Sequence, residues 1–425
     1  MNTSGLSRLG QRTTEPPISW LMSTALARPN LISLAAGFTD RESLPVSEVR
    51  ELLDGLLGSA KTGRVALQYG TTAGDAGLRQ LIGEHLHRQD GGSVPASLYS
   101  PERTFISSGS QQLLYLLSEC LCDPGDLVLL EDPAYFVYLG IVQSHGLECR
   151  GIPLASDGID LGHLERTLEL LKRSGAIRRL KLLYLVTYFQ NPTGVSAVWE
   201  KKAAALELLR RYEKAAGHPI YLLEDAAYRE LRFAGEDVAS LLAANRAADR
   251  VIYAGTFSKP FATGVRVGYG VMPERLLKVV LRLKANHDFG TSNLLQQLVK
   301  HALASRAYDQ HLVTLRARYA HKAAVMVTAI RQHFPGSVEW EPPRGGLYVW
   351  ARLPKTVKSG MKSKLFRAAL RHDVLYVPGE LCYADDPTRA KPNHEMRISF
   401  GGASVPDIRT GIARLGATLY QSLDP

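Results

Sequence analysis

The sequence predicts an α/β protein, with a large domain of mostly parallel sheet flanked by helices and a smaller α+β domain. Short apolar runs alternate with longer helical patterns from about residue 100 to 275, the signature of parallel strands joined by crossover helices. Polar or Gly/Pro-rich segments follow several of those runs. The chain has 425 residues, more than one small core accounts for, and suggests about two domains of roughly 150–200 residues each.

The strand candidates, in order, are Arg103–Ile106, Leu127–Leu130, Leu147–Pro153, Leu180–Thr187, Ile220–Leu223 and Val251–Ala254. Helical patterns such as Gln112–Leu121 and Trp199–Ala216 lie between them. From His301 to Arg331 the pattern predicts one long helix leading into the second domain. Strand-like runs at Gly346–Ala351, Val374–Val377 and Met396–Phe400 then alternate with helices. The expected division is residues 61–300 for the large domain, and 1–60 with 301–425 for the smaller one.

Hydrophobic residues at 45% and charged residues at 22% exclude a disordered or fibrous chain. No run approaches the ~20 apolar residues that span a bilayer. The polar N-terminus lacks the apolar stretch of a signal peptide. Cys120, Cys122, Cys149 and Cys382 have neither metal-ligand nor disulfide-framework spacing, and are expected as reduced thiols in a cytoplasmic protein. His85 and His87 are two apart and share no helix face, and His372 adjoins a basic helix end, so no metal site is expected.

The net charge of +10 admits a nucleic-acid surface or a solvated face with a pocket for anions. The densest basic cluster, Lys355 to Arg371, carries Leu365, Phe366, Ala369 and Leu370 at helical spacing. Its charges are expected to face water, and no nucleic-acid-binding motif accompanies them.

Chemistry gathers where the strands end. In open α/β sheets ligands bind outside the carboxyl ends of the strands. Five segments of unusual composition fall at such ends: 107–110, 131–135, 190–194, 224–228 and 255–259. In Thr256-Phe257-Ser258-Lys259, the lysine can hold an aldehyde cofactor as an imine, and Arg266 stands seven residues beyond to hold a phosphate. Ser110 and Gln111 begin a helix whose N-terminus can cradle that phosphate, or form an ordinary cap. Asp225 can pair with a protonated pyridine nitrogen and keep the ring an electron sink, or cap a helix. Tyr228 and Asn191 can both donate to the ring's phenolic oxygen, although Asn191-Pro192 also suits a plain turn. Tyr135 can stack on the cofactor or belong to the core. Arg397, inside a strand-like apolar stretch, calls for an anion: a substrate carboxylate or an internal salt bridge.

Together these residues resemble the fold-type I pyridoxal-phosphate enzymes, specifically the class I/II aminotransferases around 2-aminoadipate and broad-range amino acid aminotransferases. The resemblance runs from about Leu31 to Gly416 and rests on a set of motifs. These are Tyr69-Gly70 with Gly74 and Leu78-Arg79, Gly109-Ser110-Gln111, Asn191-Pro192-Thr193-Gly194, Asp225 with Tyr228, Ser258-Lys259 with Arg266, and Arg397. It implies that Lys259 carries the cofactor and shuttles a proton, and that Ser110, Gln111, Ser258 and Arg266 hold the phosphate. Tyr135 would stack on the ring, Asp225 would meet the pyridine nitrogen, and Asn191 and Tyr228 the phenolic oxygen. Arg397 would bind the substrate carboxylate and Gly37 would line the substrate pocket. The resemblance also implies a homodimer, in which Tyr69 reaches the neighbouring subunit's phosphate and Thr291-Ser292-Asn293 forms a second cross-subunit segment. Ala36, Ala227 and Pro260 depart from the usual pattern without removing a catalytic group. About 30 residues precede the resemblance, too few for the winged helix that related regulators carry.

The expected function is amino transfer from an amino acid to a 2-oxo acid, with 2-oxoglutarate the expected acceptor, by a ping-pong mechanism through Lys259. A lyase, decarboxylase or side-chain replacement enzyme would use the same cofactor, and a non-catalytic cofactor-binding sensor is a further alternative. No membrane or nucleic-acid partner is expected.

Overall fold

The computed structural model describes residues 5–244 and 247–423. A short strand, β1 (Ile32–Ser33), precedes eight strands that share one sheet. These are β2 (Thr104–Ser107), β3 (Leu127–Asp132), β4 (Glu148–Ala155), β5 (Gly158–Ile159), β6 (Leu180–Val186), β7 (Tyr221–Asp225), β8 (Val251–Thr256) and β9 (Gly268–Val271). Their spatial order is β2-β9-β8-β7-β6-β3-β4-β5. The five strands from β8 to β4 are parallel, whereas β9 runs antiparallel to both β2 and β8. Two reversals leave β2 pointing the same way as the parallel five. The carboxyl ends of β2, β3, β6, β7 and β8 therefore open on one edge of the sheet.

Helices cover both faces of a parallel sheet, so its strands are apolar without alternation. Every residue of β3 and β8 is buried, and β6 is buried except at Lys181. Neither β9 nor β5 carries a sequence signal of this kind. In β9 two of four residues are glycine, which weakens a strand pattern. The structure needs glycine there: a Cβ at Gly270 would stand 2.8 Å from the Phe105 ring, and one at Gly268 would stand 2.5 Å from the Ser110 amide nitrogen.

The predicted long helix from His301 to Arg331 is two helices, Asn293–Ala304 and Ala307–His333. The break falls at Ser305–Arg306, where Arg306 has φ +64°. No glycine or proline marks it, so a left-handed arginine stops the helix without a local signal.

A second, antiparallel sheet has the order β10-β11-β14-β13, and a short strand, β12, lies beside it in the chain. These strands are β10 (Glu339–Trp340), β11 (Tyr348–Arg352), β12 (Val374–Leu375), β13 (Val377–Pro378) and β14 (Glu395–Ser399). The single run expected at Val374–Val377 divides at Tyr376: β12 pairs with β1, and β13 pairs with β14. The β1–β12 pairing draws the N-terminal segment onto the C-terminal part of the chain. Among the described residues no helix is long and apolar enough to cross a membrane.

Beneath the end of β7 lies a buried ionic network. Lys202 Nζ, fully buried on the helix Trp199–Ala216, donates to Glu224 at 2.9 Å, to Ala239 O at 2.7 Å and to Tyr188 Oη at 3.2 Å. Glu224 also accepts from Thr187 Oγ1 and the Leu241 amide. Arg229 donates to Asp90 at 2.7 Å from an equally buried position. These bonds clamp the chain on both sides of 225–228. Removing one partner strands a buried charge, so Lys202→Met is expected to lower unfolding free energy by about 3–5 kcal/mol in chemical denaturation. Lys202→Met with Glu224→Gln, which removes the stranded charge and keeps an acceptor oxygen for Thr187 or the Leu241 amide, is expected to recover part of that loss.

Candidate active site

The five strand ends surround a cavity of about 200 Å³. Ser110, Gln111, Tyr135, Asn191, Asp225, Tyr228, Ser258, Lys259 and Arg266 all line it. Gly37 and Arg397 adjoin this group: Lys259 Nζ donates to Gly37 O at 2.7 Å, and Arg397 Nη1 donates to Asn191 Oδ1 at 2.7 Å. Tyr69 is not brought here. It is 83% exposed and lines a separate cavity with Gly70, Phe289 and Asn293.

At one end of the cavity Gly109, with φ +74°, starts the helix Ser110–Leu121, and no side chain caps it. Its first-turn amides are left for an anion, which decides against an ordinary side-chain cap. Arg266 closes in from β9. A Cβ at Gly109 would lie 2.6 Å from Arg266 Nη2, so only glycine admits the guanidinium at this distance. Arg266 Nη1 donates to Ser258 Oγ at 3.1 Å and to Thr263 O at 3.4 Å, and meets no carboxylate among the described residues. Its φ of +53° is a strained backbone for a non-glycine residue, the kind of strain that clusters at functional sites.

At the sheet edge, the parallel register sets Val186, Asp225 and Ala254 side by side. Asp225 accepts from Tyr184 Oη at 2.9 Å and from the Ala227 amide at 3.1 Å. Burial pushes its carboxyl up to about 6, with those two bonds pulling the other way. It is therefore ionised at neutral pH, and no cation pairs with it among the described residues. Glu131, fully desolvated nearby, is pushed up to about 8. Lys259 follows β8, and its amine is driven down to about 8 by burial first, then by Arg397 and Arg266.

Arg397 is 1% exposed on β14, and its Nη2 donates to Ala35 O at 2.6 Å. Its Nε has no partner, and among the described residues it forms no salt bridge, so the internal-salt-bridge reading fails. Asn191 Nδ2 donates to Tyr228 Oη at 3.2 Å.

Two tyrosines at the site escaped the sequence reading. Tyr184 lies inside an apolar strand, two residues before Val186, and only the β6–β7 register turns it to Asp225. Tyr348 follows Gly345-Gly346, a pair that signals close backbone packing but does not identify what packs there.

Pyridoxal phosphate fits this donor set. Arg266 and the uncapped helix start suit its phosphate, unpaired Asp225 suits a pyridinium nitrogen, and a lysine whose pKa is lowered suits its aldehyde.

The chain matches the family described as aminotransferase class I and II over residues 29–415, and it belongs to that family. It is a pyridoxal-phosphate-dependent aminotransferase with a fold-type I architecture. The chain is 32% identical to aromatic-amino-acid aminotransferase 1 of Thermococcus litoralis, with 93% of this chain and 89% of that one covered. Its fold is similar to the crystal structure of α-aminoadipate aminotransferase from Thermus thermophilus complexed with N-(5'-phosphopyridoxyl)-L-leucine. That similarity has TM-score 0.83 and 30% identity, and covers 99% of this chain and 98% of the other. It is similar also to kynurenine aminotransferase of Pyrococcus horikoshii, with TM-score 0.89, 29% identity and coverage of 99% and 98%.

Only the neutral amine attacks an aldehyde. The lowered lysine pKa means that its neutral fraction grows as pH rises and reaches one half at about 8. The rate at which cofactor-free protein takes up pyridoxal phosphate is therefore expected to climb from pH 6 and level off above about 8, measured by visible absorbance. Asp225→Asn is expected to keep uptake but slow amino transfer by about two orders of magnitude, the scale for removing one preorganised electrostatic group.

Proposed function

We propose that this aminotransferase moves the amino group of an amino acid to a 2-oxo acid in two half-reactions through Lys259, with 2-oxoglutarate as acceptor. The observation that carries this reading is the amine of Lys259, its pKa lowered by burial and by Arg397 and Arg266, in a cavity that also contains the unpaired carboxylate of Asp225. Pyridoxal phosphate, when bound, supplies an electron sink for negative charge at the substrate α-carbon. Arg397 binds the substrate carboxylate, and its unpaired, buried charge supports that role. Lys259, once free, takes the α-proton as general base, and its lowered pKa suits the task at neutral pH. Asp225 keeps a proton on the pyridine nitrogen, while Tyr228 and Asn191 donate to the phenolic oxygen. Ser110, Gln111, Ser258 and Arg266 hold the phosphate, and Tyr135 covers the ring. Gly37 lines the substrate pocket, and its carbonyl accepts from Lys259 Nζ at 2.7 Å.

Relatives named for aromatic amino acids, kynurenine and α-aminoadipate support a broad range of amino donors. A homodimer is part of the proposal, with Tyr69 serving the neighbouring subunit's phosphate. Its exposure, beside exposed Val65, Leu67 and Phe289, supports this assignment. Asn293 donates to Val65 O and Gln68 O and so ties the same surface to residues 291–293. The proposed large domain is 61–300, with 1–60 and 301–425 forming the smaller one. Four unpaired cysteines accord with work in the cytoplasm.

One amino donor, without acceptor, is expected to convert the bound cofactor to its pyridoxamine form, with parallel lines in double-reciprocal plots once 2-oxoglutarate is added. Formation of carbon dioxide or an eliminated side chain instead would support a decarboxylase or lyase. Lys259→Ala retaining full amino transfer would overturn the assignment.

A further inference from the structure

Four buried side chains form a closed circuit at this site. Arg397 Nη1 donates to Asn191 Oδ1 at 2.7 Å, Asn191 Nδ2 donates to Tyr228 Oη at 3.2 Å, and Tyr228 Oη lies 3.1 Å from Tyr348 Oη. The Tyr348 ring then returns to the start, with the Arg397 guanidinium 4.2 Å from its centroid. All four residues are at most 5% exposed. Tyr348 is the one member to which neither the sequence nor the family resemblance assigns a part.

Its placement is specified from several sides. Tyr348 is opposite Ser399 and Trp350 is opposite Arg397, so Tyr348 and Arg397 are diagonal neighbours on one face of the β11–β14 pair. The chain before it is pinned by Gly345 and Gly346, where added Cβ atoms would stand 2.5 Å and 2.8 Å from Phe189. Phe189 itself has φ +44°, just ahead of Asn191. A Cβ at Gly37 would stand 2.8 Å from Tyr348 Oη, so the absent side chain at 37 makes room for that hydroxyl.

We propose that Tyr348 is a positioning residue for amino transfer: its hydroxyl strengthens Tyr228 as a donor, and its ring face holds Arg397 ready for the substrate carboxylate. This rests on the function proposed above. Tyr228 is held well above the usual tyrosine range, chiefly by burial, and so stays protonated at working pH. With the Tyr348 hydroxyl turned as donor, Tyr228 can give its own proton to a hydrogen bond while accepting from Asn191 and Tyr348. In a dry circuit each hydrogen bond polarises the next, so a donor behind Tyr228 makes Tyr228 the better donor in front. The ring acts separately, through the guanidinium it faces. An ordinary core tyrosine would not divide its effects in this way.

The test uses the holoenzyme with Tyr348→Phe, which keeps the ring, and Tyr348→Leu, which removes ring and hydroxyl. Two quantities are read: the pH midpoint of the bound cofactor's visible band, and the dissociation constant of a non-reactive monocarboxylate such as 3-phenylpropionate. Donors at the phenolic oxygen favour its anion, so weakening one raises the midpoint. Tyr348→Phe is expected to raise it by roughly half a pH unit while carboxylate binding stays within about twofold of wild type. Tyr348→Leu is expected to raise the midpoint similarly and to weaken carboxylate binding by about tenfold. An unshifted midpoint in Tyr348→Phe overturns the inference, as does a loss of both properties together in both variants. Absence of the visible band from the wild-type holoenzyme would overturn the underlying reading as well.

Discussion

The parallel ladder β6–β7–β8 is the constraint on which the site depends. Because these strands run together in register, the residues at and beyond their carboxyl ends arrive at one edge of the sheet. Asp225 sits in the ladder itself, and Asn191 and Lys259 follow β6 and β8 by a few residues. Two antiparallel pairings through β9 then bring β2, and with it the helix start at Ser110, to the same edge. The buried ion pairs of Lys202 with Glu224 and Arg229 with Asp90 hold this edge from beneath. Their charges are paired with opposite charges from the chain, although Arg229 Nη1 has no hydrogen-bond partner, whereas the charges in the cavity above them have no such pairing among the described residues.

That difference separates the paired charges from those proposed to act in amino transfer. Desolvation raises Asp225 and lowers Lys259, in each case towards the neutral form, and among the described residues neither has an ionic partner. Arg397 is buried with an orphaned Nε, and Arg266 adopts a strained backbone to face an uncapped helix. Each costs folding free energy that a bound cofactor or substrate carboxylate can return. The site is thus electrostatically incomplete in the protein alone, and the groups that complete it are an anion at each guanidinium and a cation at the carboxylate.

The parallel sheet was legible because each of its strands is a short apolar run ended by a turn, which is what burial on two faces demands. The end chemistry was legible because serine, asparagine, aspartate and lysine stand immediately after those runs, where local order alone places them. Other parts were not legible. β9 lost its signal to glycines that exist for the sake of Phe105 and the Ser110 loop, contacts remote in sequence. The Ser305–Arg306 break has no glycine or proline to announce it. The run at 374–377 is divided by two different partners, β1 and β14, that no local pattern reveals.

The order of residues along the chain by itself determined the fold class, the cofactor and the family, because those depend on motifs that each lie within one short segment. The tertiary structure decided the relations between segments. It set Arg397 of β14 against Asn191 of the β6 loop, turned Tyr184 onto Asp225, and closed the circuit through Tyr348. It also kept Tyr69 out of its own chain's cavity. The physical reason is the range of the interactions: propensity and periodicity act within a turn or a strand. Hydrogen bonds between buried side chains 37 to 206 residues apart exist only once the sheets have packed.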